Sequence, residues 1–139
     1  MISCEIEFRV RYGETDRMGY AYYGYYPLYY EQGRSELLRK IGLSYLEMEN
    51  SGILLPVADM HVEYIKPAHY DELIMVKTSI NKIPKVKILF EYEVYNSDRE
   101  LINKASTTLV FVNASTRKPC RAPKDFLQRI ETYFEDNTK

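Results

Sequence analysis

Apolar and polar residues alternate strictly from Cys4 to Tyr12, with Ile6, Phe8 and Val10 set against Glu5, Glu7, Arg9 and Arg11. A period of two puts successive side chains on opposite faces, so this stretch predicts a half-buried strand. Thr15 to Gly19 breaks the alternation as a turn. From about Tyr26 to Ile41 the period becomes 3.6. Tyr30, Gly33, Leu37, Leu38 and Ile41 share one stripe, and Glu31, Arg34 and Glu36 fall largely off it. Pro27 is tolerated only in the first turn of a helix, which places the start near Tyr26, and Gly42 supplies the stop. Gly33 costs about 1 kcal/mol in a helix interior, so its place on the stripe predicts a helix backbone lying close against a second surface. A short helix follows over 44–50, with Ser44 as its cap and Glu47 three residues on. Four further strands are expected at 54–66, 73–83, 86–95 and 101–113. Pro84-Lys85 and the run Asn96 to Asp98 are short turns, so the last three strands form consecutive antiparallel hairpins. A basic, proline-punctuated loop over 117–123 and an amphipathic helix over 125–135 close the chain.

Five antiparallel strands and one long helix make an α+β domain spanning 1–139. A curved sheet wrapped around that helix satisfies both, and it leaves edges and a face for a second copy. Composition narrows the function. A net charge of −1 provides no broad basic field for nucleic acid. No apolar run approaches a bilayer span and the N-terminus lacks a signal-peptide pattern, so a soluble cytoplasmic protein with no membrane insertion is expected. Cys4, Cys120, His61 and His69 have no metal-ligand spacing, and neither a metal nor a cofactor is expected. The unusual count is tyrosine, 14 residues with no tryptophan, seven of them between Tyr20 and Tyr30. A ring with a hydroxyl to satisfy suits a half-wet surface, either a pocket wall or a subunit interface.

The candidate chemistry sits where the turn meets the helix. Asp16 lies in the polar turn, and Tyr23 and Gly24 lie near the helix start, where backbone amides face outward and the helix dipole is positive. A carboxylate beside such amides suits acyl transfer. Asp16 would act as general base or as nucleophile, and the amides would hold the developing oxyanion. Gly24 lets the backbone approach a ligand. The plainer alternative makes Asp16 a turn or capping residue. Tyr12, Tyr22, Tyr23 and Tyr26 are candidates for the pocket wall or for core packing, and Glu31 and Arg34 for a salt bridge. The two histidines have no adjacent nucleophile.

These residues carry a resemblance. Arg9-Val10-Arg11-Tyr12-Gly13-Glu14-Thr15-Asp16, then Gly19, Tyr22-Tyr23, Tyr26, Tyr30-Glu31 and Arg34 follow one another as in the hotdog-fold acyl-CoA thioesterases of the 4-hydroxybenzoyl-CoA thioesterase and YbgC type. Val62-Glu63-Tyr64-Ile65-Lys66-Pro67-Ala68 and Lys118-Pro119-Cys120-Arg121-Ala122-Pro123 resemble the YbgC branch. The resemblance covers about residues 8–126. It implies a hotdog fold, Asp16 as the catalytic acid, and an amide at or beside Tyr23 holding the thioester carbonyl. Many YbgC-type members carry His where this chain has Tyr23; the 4-hydroxybenzoyl-CoA branch also lacks it. The substrate implied is an acyl-CoA or acyl-carrier-protein thioester, and the assembly a homodimer or homotetramer. Coenzyme A phosphates call for basic residues, for which Lys82, Lys85 and Lys87 at one hairpin and Arg117, Lys118 and Arg121 in the late loop are candidates. Asp59 is a candidate near the subunit interface, where hotdog dimers build their sites. Two other readings share the fold: a dehydratase or hydratase, which would need a His in the turn or on the long helix, and a non-catalytic acyl-binding protein.

Overall fold

We describe residues 1–136 of the chain from a computed structural model. Strand β1 (Ile2–Arg9) leads through a 3-10 turn at Tyr12–Glu14 and a second at Tyr23–Tyr25 into helix α1 (Tyr26–Lys40). Helix α2 (Tyr45–Asn50) follows, then β2 (Ile53–Leu54), β3 (Val57–Tyr64), β4 (Leu73–Ile80), β5 (Lys87–Tyr95), β6 (Leu101–Val110), β7 (Val112–Asn113) and helix α3 (Lys124–Asp136). The main sheet is antiparallel with strand order β1-β4-β5-β6-β3. Two expected strands divide. Pro56, which has no N–H for a ladder, separates β2 from β3, and its carbonyl accepts the amide of Val110 at 3.0 Å. Phe111 turns out of β6 to donate its amide to Val86, and β2 and β7 pair as a separate ribbon.

Helix α1 lies across β1, β4 and β5, the arrangement of a sheet curled around one helix. Ile74, Val76 and Ile80 of β4 and Ile88, Phe90, Tyr92 and Val94 of β5 meet its Tyr30, Leu37 and Leu38 in the core. Gly33 marks the closest approach. A Cβ there would stand 2.2 Å from Thr78 Oγ1 and 3.3 Å from Val76 Cγ1. Gly33→Ala is therefore expected to destabilise by about 1–3 kcal/mol through overpacking, a loss larger than the helix-propensity gain. Thr78 Oγ1 is itself buried without a hydrogen-bond partner among the described residues. Thr78→Ala should then be close to neutral alone and should recover most of the loss in the double variant, as read by urea denaturation.

Arg34 departs from the sequence expectation. It is on the buried face of α1, 8% exposed. In place of a pair with Glu31, its Nε donates to the Tyr45 hydroxyl at 2.9 Å and its Nη1 to the Tyr92 hydroxyl at 3.1 Å. The Tyr92 hydroxyl also bonds Thr107 Oγ1 at 2.6 Å, and burial above all pushes its pKa up to about 12, so it meets the guanidinium as a neutral phenol.

On the outer face one row of aligned residues crosses all five strands: Glu5, Lys77, Glu93, Lys104 and Glu63. Opposite charges on neighbouring strands contribute roughly 0.2–1 kcal/mol each. A one-residue slip would break the row and turn the core side chains outward, so the ladder reinforces the register.

The edge strand β3 is the exception to the buried sheet. Of its residues only Val62 is even half-buried, and Val57, Met60 and Tyr64 are exposed. Its far edge carries unpaired backbone groups.

Candidate active site

The segment after β1 folds back on itself before it enters α1. Thr15 and Ala21 form an antiparallel bridge, and the Tyr22 amide donates to the Glu14 carbonyl at 2.8 Å. Gly19, at φ +80°, makes the reversal, and its carbonyl accepts the Tyr70 amide at 2.9 Å. The fold thus brings the start of the helix next to the turn that carries Asp16. The Asp16 Oδ1 accepts the amides of Met18 at 2.9 Å and Tyr20 at 3.2 Å. Among the described residues its other oxygen has no hydrogen-bond partner and is left for a substrate or water. Asp16 lines an open cleft of about 530 Å³ with Tyr12, Thr15, Arg17, Gly19 and Tyr70. Tyr12, 80% exposed, meets Tyr70 edge to face at 5.7 Å.

Beyond the fold-back, the first backbone bond of the helical run goes from Tyr25 N to Tyr22 O. The amides of Tyr23 and Gly24 precede it, and among the described residues no side chain caps them. Gly24 is tightly constrained, since a Cβ there would stand 2.7 Å from the ring of Tyr22. Tyr22 and Tyr23 are exposed with ring centroids 4.9 Å apart. Tyr23 meets Tyr64 of β3 edge to face at 6.3 Å. Tyr26 is buried, in edge contact with Tyr64 at 5.4 Å, and its phenol is pushed up to about 12 by burial.

Asp59, His61 and the basic clusters lie apart from the Asp16 turn. Asp59 and His61 belong to the outer face of β3, aligned with Thr108 and Ser106, whereas Tyr64 is on the helix side. His69 packs its ring on Tyr20 beside the Asp16 turn; its amide donates to Glu72 at 3.0 Å, and its Nδ1 lies 3.5 Å from the same carboxylate. The two basic clusters come together, because the Ala122 amide donates to the Lys85 carbonyl at 2.7 Å. Lys85, Lys87 and Arg121 therefore share one end of the domain. It is the wrong end for Asp16 of the same chain. β4 begins beside the Asp16 loop, where Leu73 aligns with Arg9, and it ends toward the Lys85 hairpin, where Ile80 aligns with Ile2. Eight strand residues span about 25 Å.

Glu14 is a residue that sequence reasoning passed over. It is 5% exposed, and its carboxylate accepts the Arg11 amide at 2.9 Å, the Arg11 Nε at 2.8 Å and the Tyr29 hydroxyl at 2.9 Å. It ties the Asp16 loop to α1. Burial acts to raise its pKa, but the bonds from Arg11 and Tyr29 outweigh burial and hold it below the usual carboxylate range. A carboxylate whose folded pKa is depressed stabilises fully above its unfolded pKa, and that stability is lost as pH falls through the folded value. Glu14→Gln should cost about 1–3 kcal/mol at neutral pH. Its stability curve should converge with that of the native chain as pH falls below the usual carboxylate range, measured by urea denaturation at each pH.

Residues 10–130 match the thioesterase-like superfamily. The YneP protein of Bacillus subtilis, named provisionally as an acyl-CoA thioesterase, is 38% identical over 120 residues, 86% of this chain and 87% of its own. The acyl-CoA thioester hydrolase YbgC of Escherichia coli is 30% identical over 123 residues, 88% of this chain and 92% of its own. Among solved structures, a DHNA-CoA thioesterase from Staphylococcus aureus superposes with a TM-score of 0.92 at 35% identity, covering 99% of this chain and 95% of its own.

Proposed function

The chain belongs to the thioesterase-like superfamily and is a thioester hydrolase, and we propose that it cleaves aromatic acyl-CoA thioesters at the cleft beside Asp16. The observation that supports this reading is the fold-back that pairs the Asp16 turn with the segment leading into the helix, through the Thr15–Ala21 bridge and the Tyr22 amide on the Glu14 carbonyl, while one Asp16 oxygen has no hydrogen-bond partner among the described residues. The thioester carbonyl oxygen would sit on the amides of Tyr23 and Gly24. Asp16 would then deliver a water to the carbonyl carbon, or attack it and form a mixed anhydride that water opens. Coenzyme A leaves as the thiol and the acyl group as a carboxylate. The amides act where charge develops, so they stabilise the transition state more than the ground state. No helix among the described residues is long and apolar enough to cross a membrane. Action in the cytoplasm is part of the same proposal.

The exposed rings of Tyr22, Tyr23 and Tyr64 support an aromatic acyl group, since offset and edge contacts between rings add about 0.5–1.5 kcal/mol per pair. The name of the Staphylococcus aureus relative points to an aromatic acyl group as well. A panel of aromatic, short and long aliphatic acyl-CoAs, followed by thiol release, tests this. Aromatic esters are expected to give a kcat/KM about tenfold or more above the aliphatic ones. A preference for aliphatic chains would contradict the acyl assignment, and absence of turnover on every CoA and carrier-protein ester would contradict the reaction.

The site is completed by a second copy. β3 is an exposed edge strand of eight residues, and two such edges related by a two-fold axis pair antiparallel. Tyr64, at the Asp16 end of β3, then meets the partner's Val57 end. That is the end where Lys85, Lys87 and Arg121 of the partner lie. The basic cluster, distant within one chain, would rim the cleft of the other and receive the phosphates of coenzyme A. Asp59 would lie near the two-fold axis on the outer face. A homotetramer would pair two such dimers.

A further inference from the structure

From the edge strand, Tyr64 reaches the start of the helix through a hydrogen bond: its hydroxyl donates to the Tyr23 carbonyl at 2.7 Å. That carbonyl and the Gly24 N–H belong to the same peptide group. The group is planar and trans, so the two bonds point in opposite directions and turn together. A donor on the carbonyl fixes the plane of the peptide and therefore the direction of the N–H. It also polarises the peptide, which makes the N–H a stronger donor. The ring of Tyr64 is separately held by edge contacts to Tyr23 and Tyr26, so the hydroxyl can be removed without removing the packing.

From this we infer that Tyr64 is a positioning residue for the reaction, aiming and strengthening the Gly24 amide as the oxyanion donor. The inference rests on the oxyanion role given above to the Tyr23 and Gly24 amides. It also ties catalysis to assembly. Tyr64 ends the strand on which a second copy would pair, so ordering that strand orders the donor.

The test is Tyr64→Phe, assayed by steady-state thiol release on the best acyl-CoA and by binding of a CoA-linked trifluoromethyl ketone, whose hydrate imitates the tetrahedral intermediate. Loss of a whole oxyanion donor costs 10²–10³-fold in kcat. A donor that remains but is misaimed and less polarised should lose less, about tenfold. The expected result is that tenfold fall in kcat with KM within about twofold, an equal loss of affinity for the ketone, and unchanged affinity for coenzyme A itself. A purely structural role would instead change coenzyme A binding and thermal stability together. Unchanged kcat and ketone affinity in a native-like Tyr64→Phe would overturn the inference and leave the thioesterase reading standing. No turnover and no ketone binding by the native chain would overturn both. Should Tyr64→Phe unfold, 3-fluorotyrosine at position 64 keeps the hydroxyl and makes it a stronger donor; kcat no higher than native would then overturn the inference.

Discussion

Asp16→Asn should lower thioester turnover by about 10²–10⁴-fold while leaving the fold intact. The separation of these two effects comes from the geometry. The Oδ1 of residue 16 serves the structure by accepting the amides of Met18 and Tyr20. An asparagine oxygen accepts the same two bonds, more weakly than a carboxylate but in the same geometry, so the loop that carries it keeps its shape. The other oxygen has no hydrogen-bond partner among the described residues, and there the substitution replaces an acceptor with an NH₂ that can neither take a proton from water nor attack a carbonyl. Thermal unfolding within a few degrees of native, together with loss of turnover, is the expected pair of results. A variant that unfolds would mean that the carboxylate charge holds the loop. A stable variant with native turnover would remove Asp16 from the chemistry.

A second large effect is expected when two inactive chains are combined. Lys85→Glu with Arg121→Glu should raise KM for a CoA thioester about tenfold or more by turning phosphate attraction into repulsion. If each site takes Asp16 from one chain and the basic cluster from its partner, a heterodimer of this chain with an Asp16→Asn chain contains one site with every part intact. Two affinity tags isolate that heterodimer. It should show about half of native activity at substrate levels where both parents are nearly silent. Activity no greater than the mean of the parents would place the basic cluster in cis or outside the site, and the edge pairing proposed for β3 would lose its main consequence.

Much of the fold is readable from the chain because its strands face two different solvents. In β5, Ile88, Phe90, Tyr92 and Val94 are buried, while Lys87, Leu89 and Glu91 are exposed. The apolar alternation follows directly. In β3 the same alternation of Met60, Val62 and Tyr64 marks the helix side, yet only Val62 is even half-buried, because α1 packs mainly on β1, β4 and β5 and meets this edge at its start, where Tyr26 touches Tyr64. Alternation reports which face is the apolar one; whether a second copy covers it is not written in one chain. Arg34 was misplaced on the polar side for a related reason. Its partners Tyr45 and Tyr92 lie on other elements, 11 and 58 residues away. A local i to i+3 rule finds Glu31 and has no access to either phenol.

At the site, Asp16, Tyr23 and Gly24 stand out because a polar turn, an aromatic run and a helix start follow one another within a dozen residues. Glu14 does not stand out, since an acid in a polar turn ordinarily meets solvent. Its burial depends on Tyr29 arriving from α1. Tyr64 is equally silent, because what gives it a role is one bond across 41 residues. The two basic clusters could be listed from sequence, but their meeting through the Ala122 amide and the Lys85 carbonyl could not. Nor could their placement at the end of the domain away from Asp16.

The most direct measurement is a crystal structure of Asp16→Asn, slow enough to hold its substrate, with an intact aromatic acyl-CoA. The account predicts a thioester oxygen about 3 Å from the Gly24 amide, the side chain of residue 16 facing the carbonyl carbon, and the phosphates against Lys85 or Arg121 of the other subunit. An acyl-CoA bound in order elsewhere, with residue 16 out of reach of the thioester, would contradict it.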